Sequence, residues 1–198
     1  MIKLIIFDVG GVIDTFDEKY YVRYLSQKFG IDGKRFESAL IPLLDKMEIG
    51  QLSLKEMKAR LSKMFGMSIS ELEWESAFTK LNRVNKDVVK LMGRLFGKYT
   101  IAILTNVSRS RHLMKMEQYL GSVKCDRVFT SCYLRMRKPE HRIYRFVLKS
   151  MKARPGETIF IDNLEKNVKG AEEVGIKTIR FVGYKDMVKR LRSFGVKC

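Results

Sequence analysis

Short apolar runs, one near residue 2 and four from residue 100 onward, are set among helix-like stretches, and this alternation restricts the fold more than any other feature. The runs are 2–7, 100–104, 127–130, 158–161 and 178–182. Helical periodicity is present over 86–96, 110–120, 140–151, 164–174 and 185–194. Strand followed by helix, repeated, predicts an α/β protein with a parallel sheet covered by helices on both faces. The texture changes after Asp14. From there to about Asn85 no strand is predicted, and helix-like stretches at 18–29, 34–46, 53–65 and 70–81 follow one another. Ser53 with Glu56, and Ser68 with Glu71, have capping-box spacing. The pattern predicts a helical insertion between the first strand and the rest of the sheet.

Composition narrows the function classes. A chain of 198 residues, 45% hydrophobic and 11% aromatic, suffices for one sizeable core with a modest insertion. No run approaches the roughly 18 apolar residues of a membrane span. Asp8 interrupts the N-terminal apolar run, and no cleavage-site pattern follows, so no signal peptide is expected. A soluble, cytoplasmic protein without membrane partners is expected. Three cysteines without metal-type spacing fit a reducing compartment, and two histidines supply a zinc site or a Ser-His-Asp triad poorly. The net charge of +17 favours anionic partners without choosing among phosphorylated metabolites, nucleic acid and acidic membrane. Its densest part, 135–154, holds eight Lys or Arg and one acid, Glu140. A solvated helix face is favoured there over a nucleic-acid surface, although nucleic acid stays possible.

The strand ends carry the chemistry. The first strand runs into Asp8, followed by Gly10 and Gly11; "IAILTN" ends on Thr105 and Asn106; the third strand leads through "SCYLRMRKP" to Lys138; and "TIFIDN" ends on Asp162 and Asn163. Ligands of an open parallel sheet bind outside the carboxyl ends of its strands, so these side chains are placed at a site. Each also has a structural reading: Asp8 as a strand-end cap, Thr105 as a β-former, Lys138 as a surface lysine, Asp162 as the N-cap of the next helix. Their joint occurrence is what favours chemistry.

The segments "FDVGGVI", "ILTN", "RKPEHRIY" and "IDNLEKNVKGAEEVGIKTI" together resemble the four motifs of the haloacid dehalogenase (HAD) superfamily. "KMEIGQLSLKEM" is similar to a Gly-containing segment of its helical cap. The resemblance implies a Rossmann-like core of residues 1–14 and 86–198 and a small all-helical cap of residues 15–85. It implies a Mg²⁺-dependent phosphomonoesterase for a small phosphorylated metabolite. Asp8 would be the nucleophile and form an aspartyl-phosphate, with Thr105 and Lys138 as its catalytic partners. Phosphate would be bound by Thr105, Asn106, Lys138 and Gly11, with Asn106 also orienting its neighbours. Mg²⁺ would be held by Asp8, the Gly10 carbonyl, Asp162 and the Asn163 side chain. Two alternatives remain: a 2-haloacid dehalogenase, and a catalytically weak binding or regulatory member.

Several positions depart from the family pattern. Gly10 stands where most such phosphatases have an acid-base aspartate, a loss typically worth about 10²- to 10⁴-fold. Asn163 replaces a common second acid, which predicts a weaker metal site. Arg135 stands where glycine is frequent, and Glu140-His141 where Asp-Pro is usual. Asp14 lies too far along to replace the missing acid simply and is expected at the hinge between core and insertion.

Overall fold

The computed structural model describes residues 1–16, 18–68, 70, 74 and 82–198. Five strands form one parallel sheet: β1 (Leu4–Phe7), β2 (Thr100–Thr105), β3 (Arg127–Thr130), β4 (Thr158–Asp162) and β5 (Lys177–Arg180), in the order β3-β2-β1-β4-β5. The five apolar runs are these strands, each displaced by at most two residues at an end. Among the described residues the helices are α1 (Glu18–Lys28), α2 (Gly33–Glu48), α3 (Leu54–Phe65), α4 (Lys86–Leu95), α5 (Arg109–Gln118), α6 (Ser131–Leu134), α7 (His141–Ser150), α8 (Glu165–Glu172) and α9 (Tyr184–Ser193). The expected helix over 70–81 lies outside the described residues except Ser70 and Trp74, as does Glu71 of the second capping box. The first capping box forms: the Glu56 N–H donates to Ser53 Oγ, and the Ser53 N–H to Glu56 Oε2.

Strand side chains alternate between two cores. Ile5, Phe7, Ile101, Ile103, Ile159, Ile161 and Ile179 pack with Val88, Leu91 and Met92 of α4 and with Met187 and Leu191 of α9. Leu4, Ile6, Ala102, Leu104 and Phe160 face the other way, onto Ile143, Tyr144, Val147 and Leu148 of α7. Two buried faces explain why the strands read as continuous apolar runs. The inserted helices keep a separate cluster, in which Tyr21, Phe36, Leu40, Met57, Leu61 and Trp74 are buried. Among the described residues no helix is long and apolar enough to cross a membrane.

The chain winds outward from β1 through β2 to β3, then returns to add β4 and β5 on the other side. The reversal places β1 beside β4, with Phe7 opposite Ile161, and the Asp8 N–H donates to the Ile161 carbonyl at 2.9 Å. Asp8 and Asp162 are thus neighbours at the switch point of the sheet, where open α/β folds bind ligands. Two close approaches hold the surrounding loops. Gly11 has φ +78° and presents its α-carbon to Asn163, whose Nδ2 would lie 2.4 Å from an added Cβ. Gly170 of α8 meets the loop after Lys138, where an added Cβ would lie 2.5 Å from the Pro139 carbonyl oxygen. Gly170→Ala should therefore push that loop off α8 and destabilise the fold by about 1–3 kcal/mol, the usual cost of overpacking, read as a lowered denaturant midpoint.

Candidate active site

At the switch point Lys138 is almost fully buried, 1% exposed, with its Nζ donating to Asp8 Oδ1 at 2.8 Å and to Asp162 Oδ2 at 2.6 Å. This lysine belongs to the basic run 135–154, yet it is not a surface charge. Its backbone is held by Asn106: the Lys138 N–H donates to Asn106 Oδ1, and Asn106 Nδ2 donates to the Lys138 carbonyl, both at 2.9 Å. Both ends of the Asn106 amide thus face the lysine backbone, the geometry of an orienting residue. Asp162 is anchored by the Leu164 N–H at 2.8 Å and Asn167 Nδ2 at 3.0 Å. It supports the helix start that follows it while also pairing with Lys138, so its structural and electrostatic readings coexist.

Two carboxylates share one ammonium, which leaves this buried triad with a negative excess. Burial first, and Asp162 after it, outweigh the Lys138 charge and raise the Asp8 pKa from an ordinary 3.8 to about 7. For Lys138 burial works against the charged form, but the Asp162 and Asp8 carboxylates overcome it and raise its pKa.

A cavity of about 740 Å³ opens over the triad. Asp8, Gly10, Gly11, Thr105, Asn106, Lys138 and Asn163 all line it, so the strand ends that sequence alone singled out converge there. Asp162 is fully buried beside Lys138. The inserted helices contribute Lys19, Val22, Glu37, Ile41 and Glu48 to the wall. Asn163 Oδ1 is buried and accepts no hydrogen bond. That orphaned oxygen, beside the negative excess of the triad, suits a hard cation that takes oxygen ligands, such as Mg²⁺. No group of three or more His, Cys, Asp or Glu gathers among the described residues, so a cation here would also depend on amide and backbone oxygens.

Three features were not legible in the sequence. Arg137, next to Lys138, bridges Asp45 at 2.6 Å and Glu48 at 2.9 Å on α2, tying the lysine loop to the insertion. Arg111 lays its guanidinium over Tyr21 at 4.5 Å, Phe16 at 5.3 Å and Trp74 at 5.6 Å. Asp14 is buried and accepts from Lys115 Nζ at 2.7 Å, from Asn82 Nδ2 at 3.1 Å, and from the Tyr119 hydroxyl. Asp14 thus joins both ends of the insertion, through Asn82 and its own backbone, to α5. The basic run also meets more acids than its sequence neighbourhood offers: Asp45 and Glu48 for Arg137, and Glu157 for Arg154. Arg135 has φ +53°, which explains why glycine suits that position.

The parallel sheet sets these residues around a cavity at its switch point, and the chain belongs to the haloacid dehalogenase-like hydrolases, whose family model matches residues 2–175. It is 33% identical over 152 residues to bifunctional epoxide hydrolase 2 of Rattus norvegicus, covering 74% of this chain but only 26% of that protein. It is 26% identical over 191 residues to the D-ribitol-5-phosphate phosphatase of Bacteroides thetaiotaomicron, covering 91% of this chain and 92% of that one. Among solved structures, a HAD family enzyme from the same bacterium, in complex with magnesium and inorganic phosphate, superposes with a TM-score of 0.79 at 24% identity, covering 90% of this chain and 93% of that one.

The raised Asp8 pKa makes the site a source of instability without a bound cation. The folded chain holds the Asp8 proton to higher pH than the unfolded chain, so stability from this group is present below about pH 4 and is lost as pH rises toward 7. In metal-free buffer Asp8→Asn should therefore raise Tm at pH 8, an advantage that shrinks toward pH 4. Added Mg²⁺ should raise the Tm of the unsubstituted protein more than that of the variant, both measured by thermal melts.

Proposed function

We propose that the protein is a Mg²⁺-dependent phosphomonoesterase for a small phosphorylated metabolite, working through an aspartyl-phosphate on Asp8. The observation that carries this reading is the Asp8–Lys138–Asp162 triad, set at the switch point of the sheet and opening on the cavity. Lys138 directs the attacking Asp8 carboxylate by holding one of its oxygens and adds positive charge where charge spreads over the transferring oxygens. The Thr105 hydroxyl donates to those oxygens in this reading, which its position at the end of β2 on the cavity wall supports. Asn106 fixes the lysine backbone through its two hydrogen bonds. Gly11 leaves the backbone beside Asp8 open to a phosphate. Asp8, the Gly10 carbonyl, Asn163 Oδ1 and Asp162 are the groups that would hold Mg²⁺. When bound, the ion offsets the repulsion between a phosphate dianion and a carboxylate.

Residues 15–85 act in this reading as a cap, and residues 1–14 with 86–198 as the core. The cap helices line the cavity and exclude water from the reaction. The phosphatase relative that matches over nearly its whole length is named for a small phosphorylated polyol, which supports a substrate of that size. A cytoplasmic location is consistent with such a substrate.

Phosphate release from an aryl phosphate and a panel of sugar and polyol phosphates should require Mg²⁺ and fall by at least about 10³-fold in Asp8→Asn. Chloride release from 2-chloropropionate without phosphate release would assign the site to carbon–halogen hydrolysis instead. Half-maximal activity should need more than low-micromolar Mg²⁺, because Asn163 contributes an oxygen without a charge; saturation in the low micromolar range would contradict this ligand set.

A further inference from the structure

Breaking the P–O bond of an alkyl phosphate leaves an alkoxide, a poor leaving group unless it gains a proton as the bond breaks. Gly10, two residues beyond Asp8, has no side chain to supply one. Most other charged groups of the cavity are unsuited. Lys138 is held between Asp8 and Asp162, and Arg137 and Glu48 are paired with one another. Arg111 carries a guanidinium, which does not release its proton in proteins. Lys19, Lys166 and Glu37 line the wall from exposed positions.

Lys115 is also paired, but with a carboxylate outside the Asp8–Lys138–Asp162 triad. It lines the cavity and is only 4% exposed. Its ammonium is held at 2.7 Å by Asp14, which is 1% exposed. Asp14 is folded back onto the loop that follows the nucleophile: its N–H donates to the Val9 carbonyl at 2.9 Å, and it forms a backbone bridge with Gly10. The anchor of this ammonium is therefore the segment that position 10 belongs to.

We propose that Lys115 is a catalytic residue of this site and the proton donor to the leaving oxygen in the absence of a side chain at Gly10. The inference rests on the phosphomonoesterase reading. In the first half-reaction an Asp8 oxygen bonds to phosphorus, the ester P–O bond breaks, and the departing oxygen takes a proton from the Lys115 ammonium to leave as the alcohol. In the second, water attacks phosphorus, the bond to Asp8 breaks, and the neutral Lys115 amine takes the water proton. Asp8 returns as carboxylate, Lys115 as ammonium, and phosphate departs. Asp14 holds the amine in place through both steps.

The test compares kcat/KM for an aryl phosphate, whose phenolate leaves without help, and an alkyl phosphate, whose alkoxide does not. Lys115→Met removes the proton donor but strips a buried carboxylate of its partner. Lys115→Arg keeps the charge on Asp14 and, with a guanidinium, still cannot donate. Circular dichroism and Tm establish that each variant is folded. The expected result is that both variants lose at least about 10²-fold more on the alkyl than on the aryl ester. Loss by the same factor on both esters in folded Lys115→Arg would overturn the proposal and leave Asp14–Lys115 as a structural pair only. No turnover of either ester by the unsubstituted protein would instead overturn the phosphomonoesterase reading itself, and the proposal with it.

Discussion

The buried Lys138 ammonium between Asp8 and Asp162 is the interaction on which the rest of the structure depends. Two carboxylates at adjacent strand ends would repel each other in a poorly solvated place, and one counter-charge at 2.6 and 2.8 Å offsets part of that cost. Bringing it there requires a chain excursion from β3, the edge strand, back across β2 to the β1–β4 boundary. Asn106 at the end of β2 clasps the lysine backbone on the way, and Gly170 lets α8 press against the residue that follows. The sheet order, the asparagine clasp and the missing side chain on α8 are thus parts of one arrangement. Burial first, and the second carboxylate after it, raise the pKa of Asp8 despite the lysine.

Among the described residues, contacts of three different characters join the insertion to this centre. Asp14 supplies a buried polar junction among the start of the insertion, its end at Asn82, and α5. Arg111 supplies a cation over aromatic rings of the insertion, and Arg137 a pair of ion bridges to α2. The insertion has its own apolar cluster, so its internal packing does not depend on the sheet. Met114 of α5 adds an apolar contact to that cluster from the core side.

What could be read from the sequence was what is local. Strands β1 to β5 followed from apolar runs because both faces of the sheet are covered, and the Ser53–Glu56 cap followed from a three-residue spacing. The strand-end residues were legible because fold topology places strand ends at a site whatever the distant packing. Asp14 was legible only as a boundary: its partner Lys115 lies 101 residues away, on a helix whose own pattern gives no reason to bury a lysine. The same holds for Arg137 with Asp45 and Glu48, and for Arg111 with its aromatic rings. Lys138 shows the opposite failure of composition. It stands in the most basic stretch of the chain, where every neighbour argues for solvent, and only topology takes it inside.

Arg137 and Lys138 are consecutive, yet one grips the insertion and the other Asp8. Consecutive α-carbons are only about 3.8 Å apart, so the two grips lie within one unit of chain. The helix α2 therefore has a short tether to the charge that aligns Asp8. Swinging that helix outward to admit a molecule must either release the two ion bridges or drag on the lysine. In the proposed reading, the wall of the cavity and the alignment of Asp8 are thus tied together through two consecutive residues.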